Sequence, residues 1–164
     1  MKHLFSLIII SLFLTGCGIV ESLLAEERPE TAPYADRPPS LTLENVSIEL
    51  DLGTYCWTST EVGLCVDTIP PAYEADQHVS IADDSLQLSF DGITPSSVSA
   101  YVHPGSNLMT RIADIYLEAT LDESGIVSIP LMEQLNGDYV LVVSAFWEGS
   151  PSGDAMYTLP ITIE

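Results

Sequence analysis

Positive charge is scarce in this sequence of 164 residues. Four Lys and Arg side chains stand against 24 Asp and Glu, which gives a formal net charge of −20 at pH 7. A chain of that charge repels phosphate backbones, and its few cations cannot release enough counterions to hold DNA or RNA. Intrinsic disorder is excluded too, because 46% of the residues are apolar and only 17% are charged. We therefore expect an acidic globular domain with no nucleic-acid partner.

The apolar run at the N-terminus, Leu4–Leu14, has too few residues to span a bilayer. Its position after Lys2 predicts a secretory signal peptide over residues 1–16. The run is followed by Gly16 and Cys17, which resembles the lipobox of bacterial lipoproteins, where the cysteine is acylated and becomes the new N-terminus. The alternative is an ordinary signal peptide with a cysteine there by chance. Because each buried methylene contributes about 0.8 kcal/mol, two or three acyl chains on Cys17 would anchor the protein to the bilayer.

Cleavage before Cys17 would remove Lys2 and leave a mature chain without lysine. Arg keeps its proton well above the pH at which Lys begins to lose it. An acidic, lysine-free surface could suit an alkaline or saline habitat, with compositional drift as the alternative.

Residues 17–39 are rich in Glu, Ala and Pro and show no apolar periodicity after Leu24. This composition is typical of a flexible tether. The folded domain is therefore predicted over residues 40–164.

From Ser40 onward, apolar residues recur with period two, which is typical of strands that bury one face. A bulge or bend is predicted at Glu44 and Asn45, where the parity changes, and a hairpin turn at residues 122–125. No stretch is long enough for a sizeable helix. The pattern predicts an all-β sandwich of about seven to nine antiparallel strands. The expected strands lie within residues 46–52, 86–90, 98–102, 112–121, 126–129, 139–147 and 156–163.

The segment Leu135–Tyr139 precedes the most apolar strand. It matches the tyrosine corner of immunoglobulin-like sandwiches, in which a Tyr hydroxyl bonds back to nearby backbone. A plain Asn-Gly turn before an aromatic residue is the alternative.

Cys56 and Cys65 remain once Cys17 is assigned to lipid, and an even number of cysteines in an oxidising compartment predicts a disulfide. Their spacing fits a cross-linked hairpin. A redox or copper-binding thiol pair is the alternative, although such pairs are usually spaced more tightly.

With the lipobox, the motif around Tyr55–Trp57, the Gly137–Tyr139 turn and the strand ending in Trp147, the chain resembles uncharacterised extracytoplasmic lipoproteins of Bacillus-type bacteria. The resemblance implies a location on the outer face of the cell membrane and an immunoglobulin-like fold. It implies no activity and no catalytic residues.

Catalysis is not indicated. His78 and His103 lie in no nucleophile motif and beside no unpaired cysteine, so we expect solvated loop histidines. The acidic pairs at Asp83 and Asp122 fit solvated turns and lack the spacing of a calcium loop. No cofactor is predicted. The alternative is a metal-handling envelope protein that binds copper or calcium through His78, His103 and acidic loops.

Trp57 lies near the tip of the predicted cysteine hairpin, and aromatic anchors dominate binding energies. Tyr55, Trp57, Asp67 and Tyr73 therefore form the predicted contact surface. Taken together, the sequence favours a membrane-anchored, non-catalytic binding or structural module whose partner is an envelope protein, a peptide or a glycan.

Overall fold

Two antiparallel β-sheets packed face to face form the part of the protein that the computed structural model describes, residues 37–59 and 63–164. The predicted signal peptide, Cys17, most of the tether and the tip of the cysteine hairpin lie outside the described residues. The prediction of an all-β sandwich is confirmed. One short 3₁₀ turn, Ala75–Gln77, is the only helical element of the described segments.

The smaller sheet has five strands in the spatial order β2-β1-β6-β10-β9. Their bounds are β1 (Leu41–Leu43), β2 (Ile48–Glu49), β6 (Ser85–Phe90), β9 (Thr120–Leu121) and β10 (Ile126–Pro130).

The larger sheet has the order β4-β3-β12-β11-β7-β8, and β5 pairs in parallel with the last residues of β12. Its strands are β3 (Asp51–Thr58), β4 (Gly63–Val66), β5 (Val79–Ile81), β7 (Ser97–Pro104), β8 (Ile115–Leu117), β11 (Gly137–Trp147) and β12 (Ser152–Ile163).

The strand order is that of an immunoglobulin-like sandwich. In one sheet β1, β6, β10 and β9 occupy the A, B, E and D positions, and in the other β7, β11 and β12 occupy C, F and G. The number of strands exceeds the predicted seven to nine for two reasons. Several strands are only two or three residues long, and the segment β2–β4 is inserted between the first strand and β5.

The core lies between the two sheets and is built on aromatic side chains. Trp147 packs edge-to-face against Trp57 and Phe90, with ring centroids 5.2 and 5.5 Å apart. The indole nitrogen of Trp147 donates a hydrogen bond to the carbonyl of Ile93 at 3.0 Å, so its polar atom is satisfied inside the core. Tyr157 is fully buried, and its hydroxyl donates to the carbonyl of Pro39 at 2.6 Å. Burial raises the pKa of Tyr157 far above its ordinary value.

Two local predictions near the turns are confirmed. The Tyr139 hydroxyl donates back to the carbonyl of Asn136 at 3.3 Å, as in a tyrosine corner. The Asp122 carboxylate accepts hydrogen bonds from the Ser124 hydroxyl and the Ile126 amide inside the β9–β10 turn. Those bonds, the Ser124 hydroxyl first, lower the pKa of Asp122.

The start of the domain differs from the prediction. Residues 44–47 form a turn between β1 and β2 rather than a bulge in one strand, and Val46 is exposed instead of buried. The Asn45 side chain explains the turn, because it donates to Asp83 and accepts from the Gln87 amide, tying the loop to the neighbouring part of the small sheet. Pro38 and Pro39, assigned to the tether from sequence, are buried.

Candidate functional site

The outer face of the large sheet, which points away from the core, is the surface of most interest. Side chains alternate along a strand, so Val140, Val142 and Ser144 of β11 face outward while Leu141 and Val143 face the core. The outer face is divided into two halves that differ in what covers them.

A segment that we call the strap, residues 67–78, crosses one half of this face. The Tyr73 hydroxyl hydrogen-bonds to Thr158 of β12 at 2.8 Å and donates to the Asp51 carboxylate of β3 at 3.0 Å. The Tyr73 amide donates to the carbonyl of Ser106, just beyond β7. Val140, Val142 and Thr158 of the same half are buried although they lie outside the main core. We call this region the covered half.

Partial burial makes the Tyr73 phenol a weaker acid. Desolvation is the main cause that raises its pKa to about 12, and the neighbouring Asp51 charge contributes in the same direction. The neutral phenol is therefore the form that holds the strap on the sheet.

His103 anchors the loop between β7 and β8 to the covered half. Its Nδ1 donates to the Asp114 carboxylate at 2.8 Å, and its Nε2 is 2.7 Å from the Thr110 hydroxyl. The Thr110 hydroxyl also donates to the carbonyl of Asn107 within the same loop. Both ring nitrogens are thus occupied by the loop that covers the ring.

The hydrogen bonds from Asp114 through His103 to Thr110 have the arrangement of a catalytic triad, in which an acid orients the imidazole and the imidazole contacts a hydroxyl. A general base must also reach the substrate and its leaving group. Only 4% of the His103 side chain is exposed, and the ring is enclosed by its own loop. The geometry therefore gives His103 a positioning role in the fold.

His78 is enclosed in a similar way at the end of the strap. Its Nδ1 donates to the carbonyl of Ile161 at 3.2 Å, and its Nε2 is 3.1 Å from the Ser106 hydroxyl. Since 3% of its side chain is exposed, the expectation of two solvated histidines is wrong. Each imidazole fastens a loop to the sheet.

The predicted contact surface is not brought together. Trp57 is 2% exposed and lies in the core, since the parity of β3 turns it inward against Trp147. Its assignment to a binding surface is therefore corrected. Tyr55 is half-buried against the core, Asp67 is exposed at the start of the strap, and Tyr73 lies in the strap, half-buried against the sheet.

The disulfide between Cys56 and Cys65 is formed. The two residues are direct partners in the antiparallel β3–β4 pair, with a Cα–Cα distance of 4.0 Å. Because Trp57 points inward, Cys56 lies on the outer face, and Cys65 is exposed. The cross-link therefore fastens an edge hairpin without contributing to the core.

The remaining part of the outer face, the open half, is a shallow depression of about 340 Å³. Outward-facing side chains of four strands line it: Thr54, Ser97, Ser99, Ser144, Phe146, Asp154 and Met156. Phe146 is 45% exposed. Strands β12 and β3 pack closely beside this depression, because a Cβ on Gly153 would collide with the Cys56 carbonyl oxygen.

These open-half residues were missed by the sequence analysis. The sequence feature that could have identified them is the set of serines at positions 97, 99 and 144, which alternate with apolar residues in β7 and β11. The same alternation is present in any strand with one solvated face, so it could not identify a depression.

The described segments contain no group of three His, Cys, Asp or Glu side chains arranged to hold a metal ion. Across residues 37–59 and 63–164, no helix has the length and apolar character needed to cross a bilayer.

Comparison with protein-family models, with curated proteins and with solved structures found no match for the chain. The resemblance to extracytoplasmic lipoproteins stays a prediction.

Proposed function

We propose that the protein is a lipid-anchored module on the extracytoplasmic face of the cell membrane, where it binds a partner without catalysis. The observation that carries the proposal is the Cys56–Cys65 disulfide at an exposed sheet edge. Disulfides persist in oxidising compartments and are rare in the cytosol. An exported chain with a cysteine directly after a signal-like segment has the features expected of a lipoprotein.

The burial and hydrogen bonding of His78 and His103 support a binding role without catalysis. Both imidazoles are almost fully buried, and both nitrogens of each ring are hydrogen-bonded within the fold, so neither is available to a substrate. The open half supplies an accessible surface across four hydrogen-bonded strands, which suits recognition.

The intact mass of the protein from its native membrane tests the anchor. We expect a chain that begins at Cys17, carries acyl chains and has Cys56 and Cys65 oxidised. Cys17→Ser should abolish acylation and release the protein from the membrane fraction. An uncleaved chain with reduced thiols would contradict the proposal, as would continued membrane association of a non-acylated Cys17→Ser protein.

A further inference from the structure

The open half of the outer face contains a side-chain pair suited to a positive charge. Phe146 and Asp154 are direct cross-strand partners on β11 and β12 and face the same side of the sheet. Such partners have Cβ atoms about 5 Å apart. A cation placed beside them can contact the ring face and the carboxylate together, which combines a cation–π interaction with a charge-assisted hydrogen bond.

The described part of the protein does not supply that cation. Its ion pairs involve His78 with Asp138 and His103 with Asp114, and the Asp154 carboxylate has no hydrogen-bond or ion-pair partner within residues 37–59 and 63–164. Arg37 and Arg111 are the Arg residues of these segments, and neither lines the depression.

The charge of the whole chain favours a cationic partner over a second copy of the protein. At a net charge of −20, two copies repel each other, whereas a cationic partner is drawn toward the acidic surface. Other anionic partners are disfavoured for the same reason.

The shape of the depression favours an extended chain. It crosses β7, β11, β12 and β3, and strands spaced about 4.8 Å apart give it a length of about 14 Å, which matches about four extended residues. The serine and threonine hydroxyls along it can donate to and accept from peptide groups. Met156 and Phe146 offer apolar contacts beside Asp154.

We propose that the open half binds an extended peptide segment that carries lysine or arginine, with the cationic group held between Phe146 and Asp154. This inference deepens the proposed binding role by naming the partner's chemistry. It does not depend on the lipid anchor, which the mass of the native protein tests separately.

The test uses the full chain and a short, end-blocked peptide of alternating lysine and leucine, with binding followed by calorimetry. We expect saturable binding that weakens as salt is added. Asp154→Asn and Phe146→Ser should each weaken binding about tenfold, since each removes one of the two contacts with the cation. Asp84→Asn removes an exposed carboxylate at the opposite end of the sandwich and is the matched control; it should leave binding unchanged.

Two further probes separate the alternatives. A peptide with glutamate in place of lysine should not bind, and a neutral oligosaccharide should not compete. The proposal is overturned if the lysine peptide does not bind, or if Asp154→Asn and Asp84→Asn weaken it equally, which indicates diffuse attraction to net charge. Binding of the oligosaccharide that is lost in Phe146→Ser would assign the surface to a glycan instead.

Discussion

The two faces of the large sheet are built from the same strands and obey different rules. On the inner face, Trp57, Trp147 and Tyr157 are all buried against the small sheet. On the outer face of the same strands, Val142 is fully buried while Phe146, two outward positions further along, is 45% exposed. Contact with the opposite sheet decides burial on the inner face, whereas on the outer face the strap and the β7–β8 loop pack against one half and leave the other open. The place of a strand in the sandwich therefore determines the burial of its inward-facing side chains. Loops from elsewhere in the chain determine the burial of its outward-facing side chains.

The largest effect is expected on the inner face. Trp57→Ala should lower the free energy of unfolding by about 4 kcal/mol, because it removes a fully buried ring and leaves a cavity beside Trp147. Denaturant unfolding of the full chain measures this loss. Leu64→Ala is the control, because Leu64 is the cross-strand partner of Trp57 yet is 49% exposed, and it should cost about 0.5 kcal/mol or less. Similar losses for the two variants would refute the placement of Trp57 in the core.

Inner-face burial was largely predictable from the sequence. Period-two alternation identified the buried positions of β6 and β10, and the turn residues at 122–125 marked a hairpin. The prediction failed for Trp57 because its environment depends on which side of β3 faces the small sheet. The nearby hydroxyl residues suggested a loop tip, but β3 continues through Thr58.

The outer face could not be predicted in the same way. The segment of β11 from Tyr139 to Trp147 is nearly continuously apolar, as expected for a central strand, and β11 lies between β12 and β7. Nothing local showed that residues 67–78 would pack against the outer face, because the strap is held by contacts between residues far apart in sequence, such as Tyr73 and Thr158. The enclosure of His78 and the division of the outer face into two halves both depend on the course of the strap.

The disulfide is the next largest contribution and lies on the outer side of β3. Replacing both Cys56 and Cys65 by Ser should lower the free energy of unfolding by about 2.5 kcal/mol, the chain-entropy value for so short a loop. Since Cys65 is exposed, the double variant leaves the core unchanged. Reducing the disulfide of the unmodified chain should lower its free energy of unfolding by the same amount. An unchanged midpoint would mean that the cross-link does not stabilise the hairpin.

A reciprocal pair of substitutions tests the two halves of the outer face directly. Val142→Ser should lower the free energy of unfolding by about 2 kcal/mol, because it introduces a small polar group at a fully buried position of the covered half. Ser144→Val makes the opposite change on the same strand, in the open half, and should alter stability by about 0.5 kcal/mol or less. Thermal or denaturant unfolding of both variants decides the matter. Equal costs would show that the strap does not distinguish the two halves.

The smallest effect concerns the strap's own anchor. Tyr73→Phe removes the hydrogen bonds to Asp51 and Thr158 and should lower the free energy of unfolding by about 1 kcal/mol at neutral pH. The folded pKa of Tyr73 is raised from 10.0 to about 12, so its stabilising contribution is complete below pH 10 and is lost as the pH rises toward 12. The Phe variant has no such group to ionise. The stability difference between the two proteins should therefore shrink across pH 10 to 12, and Tyr157 does not disturb the comparison because both proteins retain it. A difference that stays constant over this range would show that the Tyr73 phenol is not desolvated by the strap's contact with the sheet.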